Sequence, residues 1–300
     1  MPAAPPARRV DVATSRTAEF TCLSRAASSL ETEPHYHSGD GIAPLLLPGF
    51  IRALLGARIG RAAYRRLLAP RGMYEYVIAR TKYLDAAFRQ ALAESFPQIV
   101  LFGAGFDTRA LRFAAELGAA RVFELDVPIT QAAKIARYRQ RRLALPPNLC
   151  FVAVDFERDS VSRKLEDAGF RPRERSLFVL EGVLMYLAPA SAAAAFRTLR
   201  SLAAPGSRVV FDYVRASVLR GEGSLYGEAG AAQRVAGVHE AWHFGLEPEQ
   251  LAGFLASYGF RIVDHQDAAG LERLYFRDPG GCLAGRVNGT HCIVAAAADS

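Results

Sequence analysis

The chain has 300 residues, 51% of them hydrophobic, which is enough to bury a large core and longer than the commonest single domain. Its formal net charge of +7 comes almost wholly from arginine, since lysine occurs only at Lys82, Lys134 and Lys164, and the arginines are scattered with no aromatic-interleaved stripe, which argues against a nucleic-acid partner. Cys22, Cys150, Cys282 and Cys292 form no Cys-x-x-Cys pair, no apolar stretch approaches the roughly 18 residues of a membrane span, and no secretory apolar region opens the chain, so neither metal nor disulfide framework is expected and the cytoplasm is the default address.

In chain order, residues 1–12 read as a mobile start. Thr14 to Ser29 and Phe50 to Leu68 carry helical patterns, joined by a segment broken by proline and glycine around Pro34 to Gly49. Met73 to Ser95 is a stronger helix: Val77, Leu84, Phe88, Ala91 and Leu92 fall on one stripe, and Arg80 and Thr81 land on that stripe too. Pro97 ends it. Together these segments read as a helical cap over residues 13–96.

From residue 98 short β-branched or aromatic runs alternate with helical stretches, the pattern of a parallel sheet buried on both faces. The runs are Ile99 to Phe102, Val122 to Leu125, Leu149 to Val154, Leu177 to Leu180 and Val209 to Phe211, with Phe260 to Asp264 and His291 to Ala296 as the last two strands. Helices are expected over Thr108 to Glu116, Ile129 to Leu143, Ser160 to Ala168 (capped by Asp159) and Ala190 to Ala203. Residues 97–213 thus read as the core of an α/β, doubly wound, mostly parallel sheet of about seven strands. The Gly-rich stretch 214–247 is too long for an ordinary connection and reads as a substrate-covering insertion, before C-terminal strands in 248–300.

Ligands of open α/β sheets bind beyond the carboxyl ends of the strands. The first strand runs into Gly103-Ala104-Gly105-Phe106-Asp107-Thr108-Arg109, the second ends in Glu124-Leu125-Asp126, the third at Asp155 followed by Phe156, the fourth at Glu181 and the fifth at Asp212. Each core strand delivers a carboxylate to one edge. Gly103 and Gly105 suit a tight turn with close approach of backbone to ligand, and an acidic residue about 20 positions later suits ribose hydroxyls. Glu124 and Asp126 compete for that role. Dinucleotide and S-adenosylmethionine enzymes share these features, and Asp107 separates them. It stands where a pyrophosphate needs helix amides and no negative charge, and two like charges at about 4 Å repel by about 4 kcal/mol even at an effective dielectric of about 20. The turn therefore suits a sulfonium cation. Asp107 is equally readable as the cap of the following helix. Glu181, in apolar surroundings, needs a partner, and Arg80 on its inward stripe is placed to pair or to bind.

These residues, in this order, resemble the leucine carboxyl methyltransferase family, especially its bacterial branch of S-adenosylmethionine-dependent methyltransferases. The matching stretches are Arg80-Thr81-Lys82-Tyr83-Leu84-Asp85, Leu101 to Arg109, Phe123-Glu124-Leu125-Asp126-Val127-Pro128, Asp155-Phe156-Glu157 and Glu181 to Leu187. The resemblance implies a class I methyltransferase fold, Rossmann-like, with S-adenosyl-L-methionine as cofactor. It implies that Arg80 grips the methionine carboxylate, that Gly103 borders the methionyl part, that Asp126 holds the ribose, that Asp155 and Phe156 flank the adenine, and that Glu181 faces the methionyl end. It is weaker in the N-terminal helices and in 214–247, where the acceptor would be read.

Methyl transfer is an in-line displacement that mainly requires positioning and exclusion of water. A carboxylate acceptor needs no general base, whereas a hydroxyl is helped by one; His239, with His243 beside Trp242, and Tyr186 are the candidates. The expected function is O-methylation of a carboxylate or hydroxyl on a small molecule, without metal, nucleic acid or membrane. The rivals are an NAD(P)-dependent oxidoreductase, which Asp107 opposes, and a non-catalytic module that binds S-adenosylmethionine. Methylation of nucleic-acid bases is disfavoured, because Glu181-Gly182-Val183-Leu184 offers no Asn/Asp-Pro-Pro-aromatic motif.

Overall fold

The computed structural model describes residues 14–156, 158–229 and 241–299. The expected mobile start at 1–12, Glu157 and the candidate base His239 lie outside them. In chain order the elements are α1 (Arg16–Ser28), α2 (Gly49–Gly56), α3 (Arg58–Ala63), a π turn (Tyr64–Leu68), α4 (Met73–Ala93), β1 (Gln98–Phe102), α5 (Arg109–Arg112), β2 (Arg121–Asp126), α6 (Pro128–Gln140) and β3 (Leu149–Ala153). They continue with α7 (Val161–Asp167), β4 (Ser176–Leu180), α8 (Pro189–Leu202), β5 (Arg208–Arg215), α9 (Ala216–Leu219), β6 (Gly245–Leu246), α10 (Pro248–Ala256), β7 (Phe260–Gln266), α11 (Ala268–Tyr275) and β8 (His291–Ala298).

The sheet runs β3-β2-β1-β4-β5-β8-β7, and the two-residue β6 pairs with the far end of β5. Strands β1 to β5 are parallel; β8 is antiparallel to both β5 and β7. Every residue of β1 and β4 is buried, because helices cover both faces. On one face Ile99, Leu101, Leu177 and Val179 pack with Ile78, Leu84 and Phe88 of α4 and with Cys22 and Ala26 of α1. On the other, Val100, Phe123, Phe178 and Leu180 pack with Leu165 of α7, Phe196 and Leu199 of α8 and Leu251 of α10. Each such Leu or Phe contributes about 1.5–3 kcal/mol by burial. Strand order reverses between β1 and β4, which opens a crevice at their carboxyl ends.

The structure differs locally from the sequence expectations at four places. The helix expected over Phe50 to Leu68 is broken at Ala57, whose backbone is extended, and α3 folds back so closely that a Cβ on Gly60 would lie 2.1 Å from the Leu54 carbonyl oxygen. The helix expected over Thr108 to Glu116 closes only Arg109–Arg112. Ser160, not Asp159, caps α7 by accepting from the Arg163 amide, and the Asp159 carboxylate instead accepts the Asp155 amide at 2.9 Å. Within the expected insertion, β5 runs on to Arg215 and α9 and β6 follow.

Candidate active site

At the carboxyl ends of β1, β2 and β4 lies a cleft of about 480 Å3, within the size range of small-molecule sites. Its floor is the β1 turn. Gly103 and Gly105 have φ of +58° and +46°, backbone that disfavours any side chain, and a Cβ on Gly103 would lie 2.7 Å from Val183 Cγ2. Asp107, Asp126, Glu181 and Tyr186 also line the cleft, with Arg25 and Thr17 from α1, Arg80 from α4, and His243.

The charged side chains around it form one continuous chain of ion pairs. Arg25 Nε donates to Asp40 Oδ2 at 2.9 Å, and Arg112 Nε stands 3.5 Å from Asp40 Oδ1. Arg112 Nη1 donates to Asp85 at 2.6 Å, and Arg109 Nε donates to Asp85 at 2.8 Å. Arg109 Nη1 then donates to Glu181 at 2.6 Å and to Asp107. Arg80 Nε lies 3.1 Å from Glu181 Oε1, and Arg80 Nη1 donates to Asp212 at 2.7 Å. Asp212 closes the series by accepting from the Tyr76 hydroxyl at 2.7 Å and the Gly182 amide at 2.6 Å. Burial disfavours the Glu181 carboxylate, but the guanidiniums of Arg109, Arg80 and Arg25 outweigh it and hold its carboxyl well below the usual range.

Asp107 is therefore not an uncompensated anion. Its charge is met by Arg109, and its Oδ1 accepts the Arg109 amide at 2.7 Å, so the electrostatic contrast expected from Asp107 alone is corrected. The contrast survives in the wall taken together. On the cleft wall itself, among the described residues, Asp107, Asp126 and Glu181 stand with Arg25 and Arg80, three carboxylates against two guanidiniums, a balance that leans toward a cation over a diphosphate.

Asp126 stands apart from the arginines. It accepts the Gly105 amide with Oδ2 and the Val127 amide with Oδ1 at 2.7 Å, and burial raises its carboxyl above the usual value against those two amides. Each oxygen keeps a second lone pair for a hydroxyl donor. Glu124, its competitor in the sequence reading, does not line the cleft. It is fully buried, bonded to Lys134 Nζ at 2.6 Å, and burial lifts its carboxyl to about 7 despite that lysine. Neither residue faces solvent. Asp155 and Phe156 also lie off the cleft wall: Asp155 stands 3.6 Å from Arg158, and Phe156 packs against the core behind β3. The Val154 amide donates to the Asp126 carbonyl at 2.9 Å, so Asp155 begins beside Asp126.

Of the candidate proton-moving groups, the Tyr186 hydroxyl lies 3.2 Å from Thr17 Oγ1, and the amide of His243 donates to the Met185 carbonyl at 2.8 Å. The sequence reading gave no role to Arg109, Arg25 or Asp212. Arg109 was visible in the strand-end motif and Asp212 as the fifth strand-end carboxylate, but their partners lie up to 136 residues away along the chain.

A profile described as leucine carboxyl methyltransferase matches residues 18–200. The chain belongs to the leucine carboxyl methyltransferase family. It is 28% identical over 199 residues to the Bacillus subtilis (strain 168) protein named "Putative S-adenosyl-L-methionine-dependent methyltransferase YktD", covering 66% of this chain and 65% of that one. It is 31% identical over 218 residues to a similarly named protein of Mycobacterium tuberculosis H37Rv, covering 69% of each. The chain thus spans about two thirds of the length of these family relatives. Among solved structures, a DUF574 family protein from Streptomyces avermitilis superposes with a TM-score of 0.60 at 14% identity, covering 97% of this chain and 100% of that one, a likeness of fold alone. A Thermobifida fusca protein gives 0.55 at 17% identity over 95% and 98%. As a member of the leucine carboxyl methyltransferase family, the chain is a methyltransferase that uses S-adenosylmethionine.

The cleft suits that cofactor on one structural observation. Glu181 Oε1 is buried and accepts no hydrogen bond, since Arg80 Nε, 3.1 Å away, does not aim its proton along the contact. An ammonium group would satisfy that oxygen.

Proposed function

We propose that this chain is an O-methyltransferase acting on a carboxylate or hydroxyl of a small molecule in the cytoplasm. In this reading Arg80, Gly103, Gly105, Asp107 and Glu181 surround the methionyl end of the cofactor, Asp126 holds the ribose, and the adenine extends past Asp126, beyond the cleft wall, toward Asp155 and Phe156 at the end of β3. Residues 97–213 serve as the cofactor core of one methyltransferase domain, and the described parts of the insertion, 214–229 and 241–247, lie toward the acceptor; residues 230–240 of it are outside the described residues. The bound cofactor supplies an electrophilic methyl group on sulfonium.

The observation that carries the choice of oxygen is that Asp107, Asp126 and Glu181, the carboxylates on the cleft wall among the described residues, each already accept hydrogen bonds. Asp107 and Glu181 are held by Arg109, and Asp126 by two backbone amides. None is free to act as a strong base, which suits an acceptor oxygen that needs no proton removed before it attacks. For a hydroxyl acceptor, Tyr186 or His243 on the wall moves the proton. The strand-four end, Glu181-Gly182-Val183-Leu184, also lacks the Pro-Pro-aromatic stretch that handles amino nucleophiles of bases.

The test is incubation with methyl-labelled S-adenosylmethionine and a panel of carboxylic acids, phenols and amines. A base-labile label released as methanol marks an ester, and a base-stable label on a phenol marks an ether. Label on amines alone contradicts the proposal.

A further inference from the structure

Ten large apolar side chains are exposed among the described residues, and five of them, Phe50, Leu54, Ile59, Leu67 and Leu68, fall within one short stretch formed by α2, α3 and the π turn. Exposures reach 73% at Phe50, 81% at Ile59 and 75% at Leu67. Single exposed apolar residues are ordinary, but a concentrated patch is not. The same stretch is strongly basic: from Gly41 to Tyr74 there is no aspartate or glutamate, while Arg52, Arg58, Arg61, Arg65, Arg66 and Arg71 are all present. Only Arg61 of these is buried, where it pairs with Glu31 at 3.3 Å; Arg58 and Arg66 are exposed.

We propose that α2, α3 and the π turn form a docking face for an anionic lipid surface, lying in the interface plane with Phe50, Ile59 and Leu67 inserted and Arg58 and Arg66 against the headgroups. Exposed apolar side chains beside arginines, in a stretch that itself carries no aspartate or glutamate, are what such a surface requires. The stretch is broken at Ala57 and interrupted by arginine, and no helix among the described residues is long and apolar enough to cross a membrane, so it lies on a bilayer and does not span it. Charge decides against a second copy seated symmetrically on the same face, since that would set arginine against arginine. The face also has a firm base. Tyr64 is bonded to Ser24 of α1 at 2.7 Å, and α1 is the helix whose Thr17 and Arg25 wall the cleft, so docking places the catalytic cleft at a fixed height over the lipid.

The test is co-sedimentation of the full chain with phosphatidylcholine vesicles, with and without one third phosphatidylglycerol, at low and high salt. Binding is expected on the anionic vesicles at low salt, weaker by at least about tenfold on pure phosphatidylcholine and at high salt. The triple variant Phe50→Ser, Ile59→Ser, Leu67→Ser and the double variant Arg58→Glu, Arg66→Glu are each expected to lose binding by at least about tenfold. Their affinity for S-adenosylmethionine should stay unchanged, which separates a lost surface from a lost fold. Absence of binding to anionic vesicles, or equal binding to both compositions, overturns the proposal. So does a concentration-dependent dimer abolished by the triple variant, which assigns the face to a second copy.

Discussion

Arg80 and Asp212, 132 residues apart in the chain, meet in a buried 2.7 Å hydrogen bond that ties α4 to the fifth strand. The same carboxylate holds the Gly182 amide, so one side chain fixes both the arginine and the turn that carries Glu181. Arg80 remains charged at any working pH, because burial, which opposes its charge, is outweighed by Asp212 and Glu181.

Asp212→Asn should therefore destabilise the fold by about 1–3 kcal/mol, the usual cost of disturbing a buried hydrogen-bond acceptor, since Glu181 still faces Arg80. It should also weaken cofactor binding through Arg80 and Gly182. Urea unfolding and cofactor titration on one preparation check both; unchanged stability would mean the bond is not formed.

Arg109 joins Asp85, Asp107 and Glu181. Arg109→Lys keeps the charge but cannot reach three carboxylates with one planar fork, so a loss of about 2–4 kcal/mol in unfolding free energy is expected. Because Glu181 is held ionised by this arginine, Glu181→Gln in the Arg109→Lys background should cost less than in the wild type. A double-mutant cycle that adds without coupling contradicts the pairing.

His291, at the start of β8, is buried against Tyr76, with ring centroids 4.4 Å apart, and against Trp242 at 5.2 Å. Burial, opposed by Asp212, lowers its pKa to about 4. The unfolded chain takes up this proton near the ordinary value of about 6.5 and the folded chain resists until about pH 4. Stability from this group is thus present above pH 6.5 and lost as pH falls toward 4, by up to about 3 kcal/mol. Denaturation curves of His291→Phe between these limits should show a correspondingly shallower acid loss; equal slopes contradict the assignment.

Much of the fold is legible in the sequence, because strands buried on both faces must be short runs such as Ile99 to Phe102, and their helices must alternate with them. The strand-end carboxylates follow from the same alternation. Pairings across the fold do not. Asp107 reads as a bare negative charge until Arg109 is seen folded over it, and Glu124 reads as a ribose ligand until Lys134, one helix later, is found against it. Strand β6 is too short for any period to announce it. The break at Ala57 depends on Gly60 meeting a carbonyl, a tertiary contact.

Among the described residues, Asp126 is the one carboxylate lining the cleft that is held by amides alone, and on it rests the central claim that the strand ends bind S-adenosylmethionine. Calorimetric titration of the wild type, Asp126→Ala and Arg80→Ala with S-adenosylmethionine and with NAD tests it most directly. Heat with S-adenosylmethionine only, and at least a tenfold loss of affinity in each variant, about 1.4 kcal/mol, is the predicted result. Heat with NAD alone, or unchanged affinity in both variants, would contradict it.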